Sequence, residues 1–335
     1  MAGIRSALVA VLADGTLHSG ADLAKRLACS RTAVWKHLNE LKSVGLQIHA
    51  QRGAGYRLSR PLELLDAEAI RAGLDDRAGE SIGRLEVHEI IESTSERLRI
   101  LPPPAAGRFD AVLAEYQTGG RGRRGRQWLS PFGAGLCLSV NHWFERVPAT
   151  LSALSLAIGV GVCRALHDEA GDVAGLKWPN DIVAGGRKLG GLLVDVQGEA
   201  DGPISVVIGL GLNFAAADGI DDEVQRTGGL PPVGLLELAG ERRPSRNGLA
   251  ARLINEFHSV ATEFERNGFA AFADEWRRHD VLVDRPVTAR IGRRTVAGTA
   301  RGIADDGALL IDRDGKLQRI VSGEVSLRPG GAVKI

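Results

Sequence analysis

Near the start of the chain, apolar residues recur every three or four positions. Ile4–Leu12 reads as a short helix. Ser19 is placed to cap a second helix running to Leu27, with Leu23, Ala24 and Leu27 on one face. Ser30 is placed to cap a third over residues 31–44. There Val34, Leu38 and Leu41 fall at i, i+4 and i+7, and Gly45 follows the end. The short turn Ala28-Cys29-Ser30 between the last two predicts a helix-turn-helix. Residues 46–50 and 55–58 then alternate like two strands about Gln51-Arg52-Gly53-Ala54, the pattern of a wing. Residues 59–66 read as a linker, with Asp66 capping the next helix.

Beyond the linker the pattern changes to strands and mixed elements. Residues 85–91, 109–116, 135–140 and 206–214 read as strands, and 96–101 as a helix opened by Glu92-Ser93-Thr94-Ser95. From about Val281 onward, 284–287, 295–301, 308–311 and 317–321 read as short strands separated by Gly and Asp turns. The expectation is an α/β (α+β) multidomain chain with units at 1–62, 63–280 and 281–335.

Charge sharpens this division. The net charge of the 335 residues is only +1. Residues 1–60 hold nine basic and three acidic side chains, so they carry +6 and residues 61–335 carry −5. A basic front unit on an acidic remainder confines a nucleic-acid footprint to the front. Arg31, Thr32, Lys36 and Trp35 occupy the start of the third helix, where a recognition helix meets base edges. Arg52 and Arg57 on the wing would meet phosphates. A protein-interaction module with a solvated basic face fits the same pattern. The composition, 44% hydrophobic and 25% charged, is that of a soluble globular protein. Cys29, Cys137 and Cys163 form no CxxC pair, which argues against a disulfide framework or a cysteine zinc site. With no signal-like start and no run of about 18 apolar residues, a cytoplasmic setting is expected.

The chemistry-bearing segments lie in the middle. Residues 119–126, Gly-Gly-Arg-Gly-Arg-Arg-Gly-Arg, combine close backbone approach with guanidinium forks suited to carboxylate or phosphate. A flexible basic linker or an RGG-like arm would share that composition, but strands flank the loop on both sides. Lys177-Trp178-Pro179-Asn180-Asp181 crowds polar groups beside a tryptophan, and Asp181 offers oxygen to Mg²⁺. Gly185-Gly186 suits a tight hairpin that delivers Lys188 onto an apolar strand. A surface lysine is the plain alternative; stabilising charge on a reacting phosphate is the chemical one. Gly209-Leu210-Gly211-Leu212-Asn213-Phe214 lacks the third glycine of a dinucleotide fingerprint, and no GxxxxGK[ST] loop occurs.

Together Glu92-Ser93-Thr94, Gln117, Gly120–Arg126, Lys177–Asp181, 187–193 and 209–213 resemble the biotin protein ligases. With the front module, the resemblance is to the bifunctional type that also represses biotin synthesis genes, and it covers nearly the whole chain. It implies a winged helix-turn-helix, a central mixed-sheet ligase domain, and a C-terminal SH3-like β-barrel ending in Gly323-Glu324-Val325-Ser326-Leu327-Arg328. It also implies ATP, biotin and Mg²⁺, formation of biotinyl-5′-AMP, and transfer to a lysine of a biotin carboxyl carrier domain. Operator DNA and a homodimer of the adenylate-bound chain follow from the repressor type. By likeness, Ser93, Thr94, Ser95, Gln117, Gly120, Gly122 and Gly191 would hold biotin. Arg121, Arg123 and Lys188 would carry the chemistry and also touch biotin and nucleotide. Trp128, Lys177, Asn180 and Asn213 would lie on the nucleotide side, with Asp181 at the metal. Two departures stand out. Ser95 replaces the asparagine of many relatives, and residues 214–230, where a loop would order over the adenylate, contain no tryptophan. Lipoate–protein ligation and a non-catalytic, ligand-sensing transcription factor are the competing functions.

Overall fold

The computed structural model describes residues 3–105, 107–198, 202–215 and 229–327. Three helices open it: α1 (Ile4–Leu12), α2 (Gly20–Arg26) and α3 (Arg31–Ser43). The hydroxyl of Ser19 accepts from the amide of Asp22, and that of Ser30 from Ala33, satisfying donors the first turns leave free. Strands β1 (Ile48–Gln51) and β2 (Gly55–Leu58) pair antiparallel as the wing. Leu8, Leu12, Leu23, Val34, Leu38 and Leu41 form a core of their own. One buried member of that core comes from elsewhere: Phe132, four residues beyond Trp128.

After two short helices, α4 (Ala67–Ala72) and α5 (Asp76–Ser81), the chain enters a seven-stranded sheet. Its strands are β3 (Ile82–Ile91), β4 (Phe109–Gln117), β5 (Gly135–Phe144), β6 (Gly175–Lys177), β7 (Asp181–Ala184), β8 (Arg187–Gly198) and β9 (Ile204–Asn213). They lie in the order β3-β4-β5-β9-β8-β7-β6, and only β3 and β4 run parallel. Alternation sorts the two faces. Leu136, Leu138, Val140, Val206, Ile208 and Leu210 enter the main core. That core also contains the apolar residues of α7 (Leu154–Ala170) and α9 (Arg246–Asn267). Between them, Cys137, Ser139, Val207, Gly209 and Gly211 turn to the other face. There α6 (Thr94–Ile100) packs Leu98 on Val112 and Val207.

The residues from α8 (Leu235–Leu238) through α10 (Ala273–His279) complete the helical layer. The C-terminal unit is an antiparallel sheet of β10 (Pro286–Ile291), β11 (Arg294–Ile303), β12 (Leu309–Arg313), β13 (Lys316–Ile320) and β14 (Glu324–Leu327), in the order β13-β12-β11-β10-β14. Its apolar residues Val287, Ala289, Val296 and Ile311 belong to the same continuous core as the central sheet. The indole Nε1 of Trp178 donates to the carbonyl of Gly307 at 3.0 Å, which fixes the two units together.

Candidate functional site

The open face of the central sheet gathers most of the candidate residues. Its floor is polar where a purely structural sheet would be apolar. Ser93, Thr94 and Ser95 are almost fully buried at the start of α6, and Ser139 is buried in β5. The hydroxyls of Thr94 and Ser139 lie 2.7 Å apart, and those of Ser95 and Ser139 2.9 Å apart. The amide of Thr94 donates to Oε1 of Gln117 at 2.7 Å, which orients that side chain. A side chain at Gly209 would crowd the Ser95 hydroxyl, and one at Gly211 would overlap the indole of Trp128. Both glycines therefore hold space that a Cβ would fill. Ser139 is the residue the sequence reading missed. Its signal was one hydroxyl inside the apolar run Gly135-Leu136-Cys137-Leu138-Ser139-Val140.

The Arg–Gly loop lies across this face and is the candidate lid. Gly120 accepts from the amide of Trp128 at 2.9 Å, and Gly122 donates to Arg126 at 2.7 Å, so the segment closes into a small hairpin of its own. Trp128 lies on the glycine floor, and its Nε1 is buried without a partner among the described residues. Lys188 lies 5.8 Å from its ring. Arg123 points inward and reaches Oδ1 of Asn180 at 3.3 Å. Its burial, together with the nearby charge of Arg124, lowers its pKa. Arg121 points differently: its guanidinium pairs with Glu96 at 2.6 Å and with Asp195. Arg126 reaches Glu324 of β14 at 2.8 Å, so the C-terminal sheet touches the lid.

Lys188 owes its place to a bulge. Val183 pairs with Lys188 while Ile182 pairs with Gly190, so Leu189 is an extra residue on β8. Such an insertion re-aims the side chains on either side of it. It brings the Lys188 ammonium alongside Gly191 and 5.8 Å from the Trp128 ring. Asn213 donates to the carbonyl of Lys188 at 3.0 Å, and Asn180 to that of Leu192 at 2.7 Å. Both amides thus brace the strand that carries the lysine, which a nucleotide-side role alone would not require. Trp178-Pro179 is a cis peptide, and Lys177, Asn180 and Asp181 surround it.

Asp181 sits between two lysines. Lys177 Nζ lies 2.9 Å from one of its oxygens and Lys188 Nζ 2.6 Å from the other. Burial alone would push its carboxyl up, but the two ammonium groups outweigh it and hold the pKa at about 2. Each oxygen of Asp181 thus accepts from one ammonium group, and no cluster of three or more metal-ligating side chains exists among the described residues. The trio carries a surplus of one positive charge. Beside it, a cavity of about 340 Å³ opens between Arg123, Asn180, Val194 and the C-terminal residues Asp306 and Gly307.

The front module presents its basic residues outward. Arg31, Thr32, Trp35, Lys36, Arg52 and Arg57 are all exposed, Trp35 at 59%. Most of the loop expected over the adenylate, residues 216–228, lies outside the described residues, as does Arg328.

Comparison with known proteins finds matches along nearly the whole chain. Residues 88–213 match the biotin/lipoate A/B protein ligase family, residues 5–57 an HTH domain, and residues 283–328 the biotin protein ligase C terminal domain. The bifunctional ligase/repressor BirA of Salmonella typhimurium is 39% identical over 323 residues, 96% of each chain. The biotin–[acetyl-CoA-carboxylase] ligase of Mycobacterium tuberculosis is 32% identical and covers 78% of this chain and 98% of its own. The Aquifex aeolicus biotin protein ligase, solved with biotin and ATP, superposes with a TM-score of 0.61 at 26% identity, covering 74% of this chain and 99% of that one. The hydroxyl floor, the arginine lid and the bulged lysine strand thus sit in a chain that belongs to the biotin protein ligase family, in its bifunctional ligase/repressor branch.

Proposed function

We propose that this chain activates biotin with ATP and transfers it to a lysine of a biotin carboxyl carrier domain. In the first step a biotin carboxylate oxygen attacks the α-phosphorus of ATP. A P–O bond forms, the bond to the β-phosphate breaks, and pyrophosphate leaves. In the second, the neutral amine of the acceptor lysine attacks the carbonyl carbon of biotinyl-5′-AMP. AMP leaves and the amine proton is released. Ser93, Thr94, Ser139 and Gln117 provide the hydrogen-bonding floor for the polar ring of biotin. Gly120, Gly122 and Arg123 cover the carboxylate and the adenylate.

The observation that carries this reading is the Lys188–Asp181–Lys177 trio. Two anions must meet, so a fixed positive charge at the attacked phosphate lowers the barrier. Lys177 satisfies one oxygen of Asp181, which leaves the Lys188 charge only partly neutralised. The test is exchange of labelled pyrophosphate into ATP. Biotin should support it and lipoate should not, and Lys188→Ala should lower it about 10²–10³-fold. Exchange with lipoate alone would replace this reading by lipoate ligation. Wild-type exchange in Lys188→Ala would remove the lysine from the mechanism.

A second role rests on the exposed residues of α3 and the wing. Arg31, Thr32, Trp35 and Lys36 fit a major groove, and Arg52 and Arg57 fit phosphates. Operator binding tightened by biotin plus ATP is expected, through a homodimer that pairs central sheets side by side. Gel retardation and sedimentation with and without both substrates test it. Equal DNA affinity and an unchanged mass would leave the front module uncoupled from the ligase.

A further inference from the structure

We propose that Arg121 is a strap across the mouth of the biotin pocket, fastened by Glu96 and Asp195, and that these two carboxylates set the rate at which biotin and its adenylate leave. The inference rests on the ligase reading of the site and adds residues to it. Arg121 begins in the lid, where its backbone bridges Gln127. One end of its guanidinium lies 2.6 Å from Oε1 of Glu96 in the first turn of α6. The other end donates to Asp195 on β8. α6 lies over β4, β5 and β9, and β8 lies beyond β9, so a single side chain ties the two walls of the pocket together. The span crosses the strand of Gly209, whose face meets Ser95.

The charge count decides what Arg121 can do. Glu96 also holds Arg99 at 2.8 Å. Arg99, Glu96, Arg121 and Asp195 therefore form a neutral chain of two cations and two anions. Arg121 has no unspent charge for a substrate phosphate, in contrast to Arg123 and Lys188. Its ion pairs stabilise the closed lid and do not act on the reacting atoms. Glu96 and Asp195 are positioning residues that work through Arg121. All three side chains are about one-third exposed, so salt screens the strap and its strength is modest. An exposed pair shifts an equilibrium by about two- to five-fold, and two pairs together by up to about tenfold.

The experiment uses the full-length chain and stopped-flow release of biotin and of biotinyl-5′-AMP. Glu96→Gln and Asp195→Asn should each speed release about two- to five-fold, and the double variant about tenfold. Pyrophosphate exchange at saturating biotin should stay near wild type. Release from the wild type should quicken with added salt, and release from the double variant should not. Asp195→Glu should restore slow, salt-sensitive release. Wild-type release rates in the double variant would overturn the strap. So would a lowered exchange rate with unchanged release, which would place the carboxylates in the chemistry. An absence of biotin binding by the unmodified chain would overturn the ligase reading itself, and it would show before any variant was made.

Discussion

The two outer units join the central sheet in opposite ways. The C-terminal sheet has no boundary of its own in the core: Val287, Ala289, Val296 and Ile311 continue the cluster that fills the central domain. The tie between Trp178 and Gly307 adds a buried hydrogen bond that starts in the Lys-Trp-Pro-Asn-Asp run itself. The front module keeps a separate core and borrows one fully buried residue, Phe132, from the exit of the lid. Around that plug Ile90 and Tyr116 of the central sheet and Leu62 and Leu64 of the linker pack, partly buried, against the same core, and polar ties add to them. Arg5 and Ser6 meet Glu89, and the amide of Phe132 donates to Val44 at 3.0 Å. The linker is pinned by Glu63, which accepts from Ser245, Arg246 and Asn247. A shared core unfolds as one cooperative unit, whereas a separate core can open alone. The C-terminal unit is therefore part of the catalytic body, and the DNA module is a separable neighbour fastened to its lid.

The largest test of this contrast is Phe132→Ala. Removing a buried phenylalanine costs about 3–5 kcal/mol, and the loss should fall on the front module. Hydrogen exchange should show amides of α1–α3 losing protection while β8, β9 and β11 keep theirs. Operator binding should collapse and the KM for biotin should rise, because the lid loses its anchor four residues from Trp128. Equal loss of protection in the central sheet would show a single cooperative core and break the contrast.

Gly307→Val probes the other join. Gly307 sits at φ +83, and a Cβ there would come within 2.7 Å of Ala153 and 2.9 Å of Leu156. Overpacking together with a strained backbone costs about 2–4 kcal/mol. Central and C-terminal amides should lose protection together, and pyrophosphate exchange should fall with them. A C-terminal sheet that loosens alone, with adenylation intact, would show two cores where one is inferred.

Much of this was legible in the sequence, for identifiable reasons. The caps Ser19 and Ser30, the heptad-like Val34-Leu38-Leu41 and the Gly185-Gly186 turn each act within a few residues, so local chemistry reveals them. The Arg–Gly loop and Lys188 stand out because their residue types are rare in combination. What escaped depends on register and on distant partners. The bulge at Leu189 that aims Lys188 is a pairing of β7 with β8 and leaves no local mark. Asp181 reads as a metal ligand because a carboxylate beside asparagine suits one. Only the fold shows the two lysines on its oxygens. Ser139 stands 44 and 45 residues from Ser95 and Thr94, and Asp195 stands 74 residues from Arg121, beyond the reach of spacing arguments.

The smallest and most selective test lies in Asp280, where the chain passes from α10 into the C-terminal sheet. One carboxylate oxygen accepts from Leu282 at 2.8 Å, and the other is buried without a partner among the described residues. Burial pushes this carboxyl up to about 6 from an ordinary value of 3.8. The folded state thus favours the protonated form. The stabilisation is complete below about pH 3.8 and is lost as pH rises through about 6. At 1.36 kcal/mol per pKa unit the loss is at most about 3 kcal/mol, and partial solvent access makes about 2 a fairer expectation. His142, held down to about 4 by burial and by His258, titrates in the opposite sense, since its neutral form is favoured and stability falls as pH drops. The useful quantity is therefore the difference between Asp280→Asn and wild type, measured by urea unfolding at pH 4 and pH 8. The variant should gain stability relative to wild type at pH 8 and not at pH 4. That gain should appear in the joint central and C-terminal transition alone. The front module's Asp14, at about 2, and Glu40, lowered by its hydrogen bond with His37, shift in the opposite direction to Asp280. A gain seen equally in the front module's transition would mean that all three units unfold together, and the distinction between a shared core and a fastened neighbour would fail.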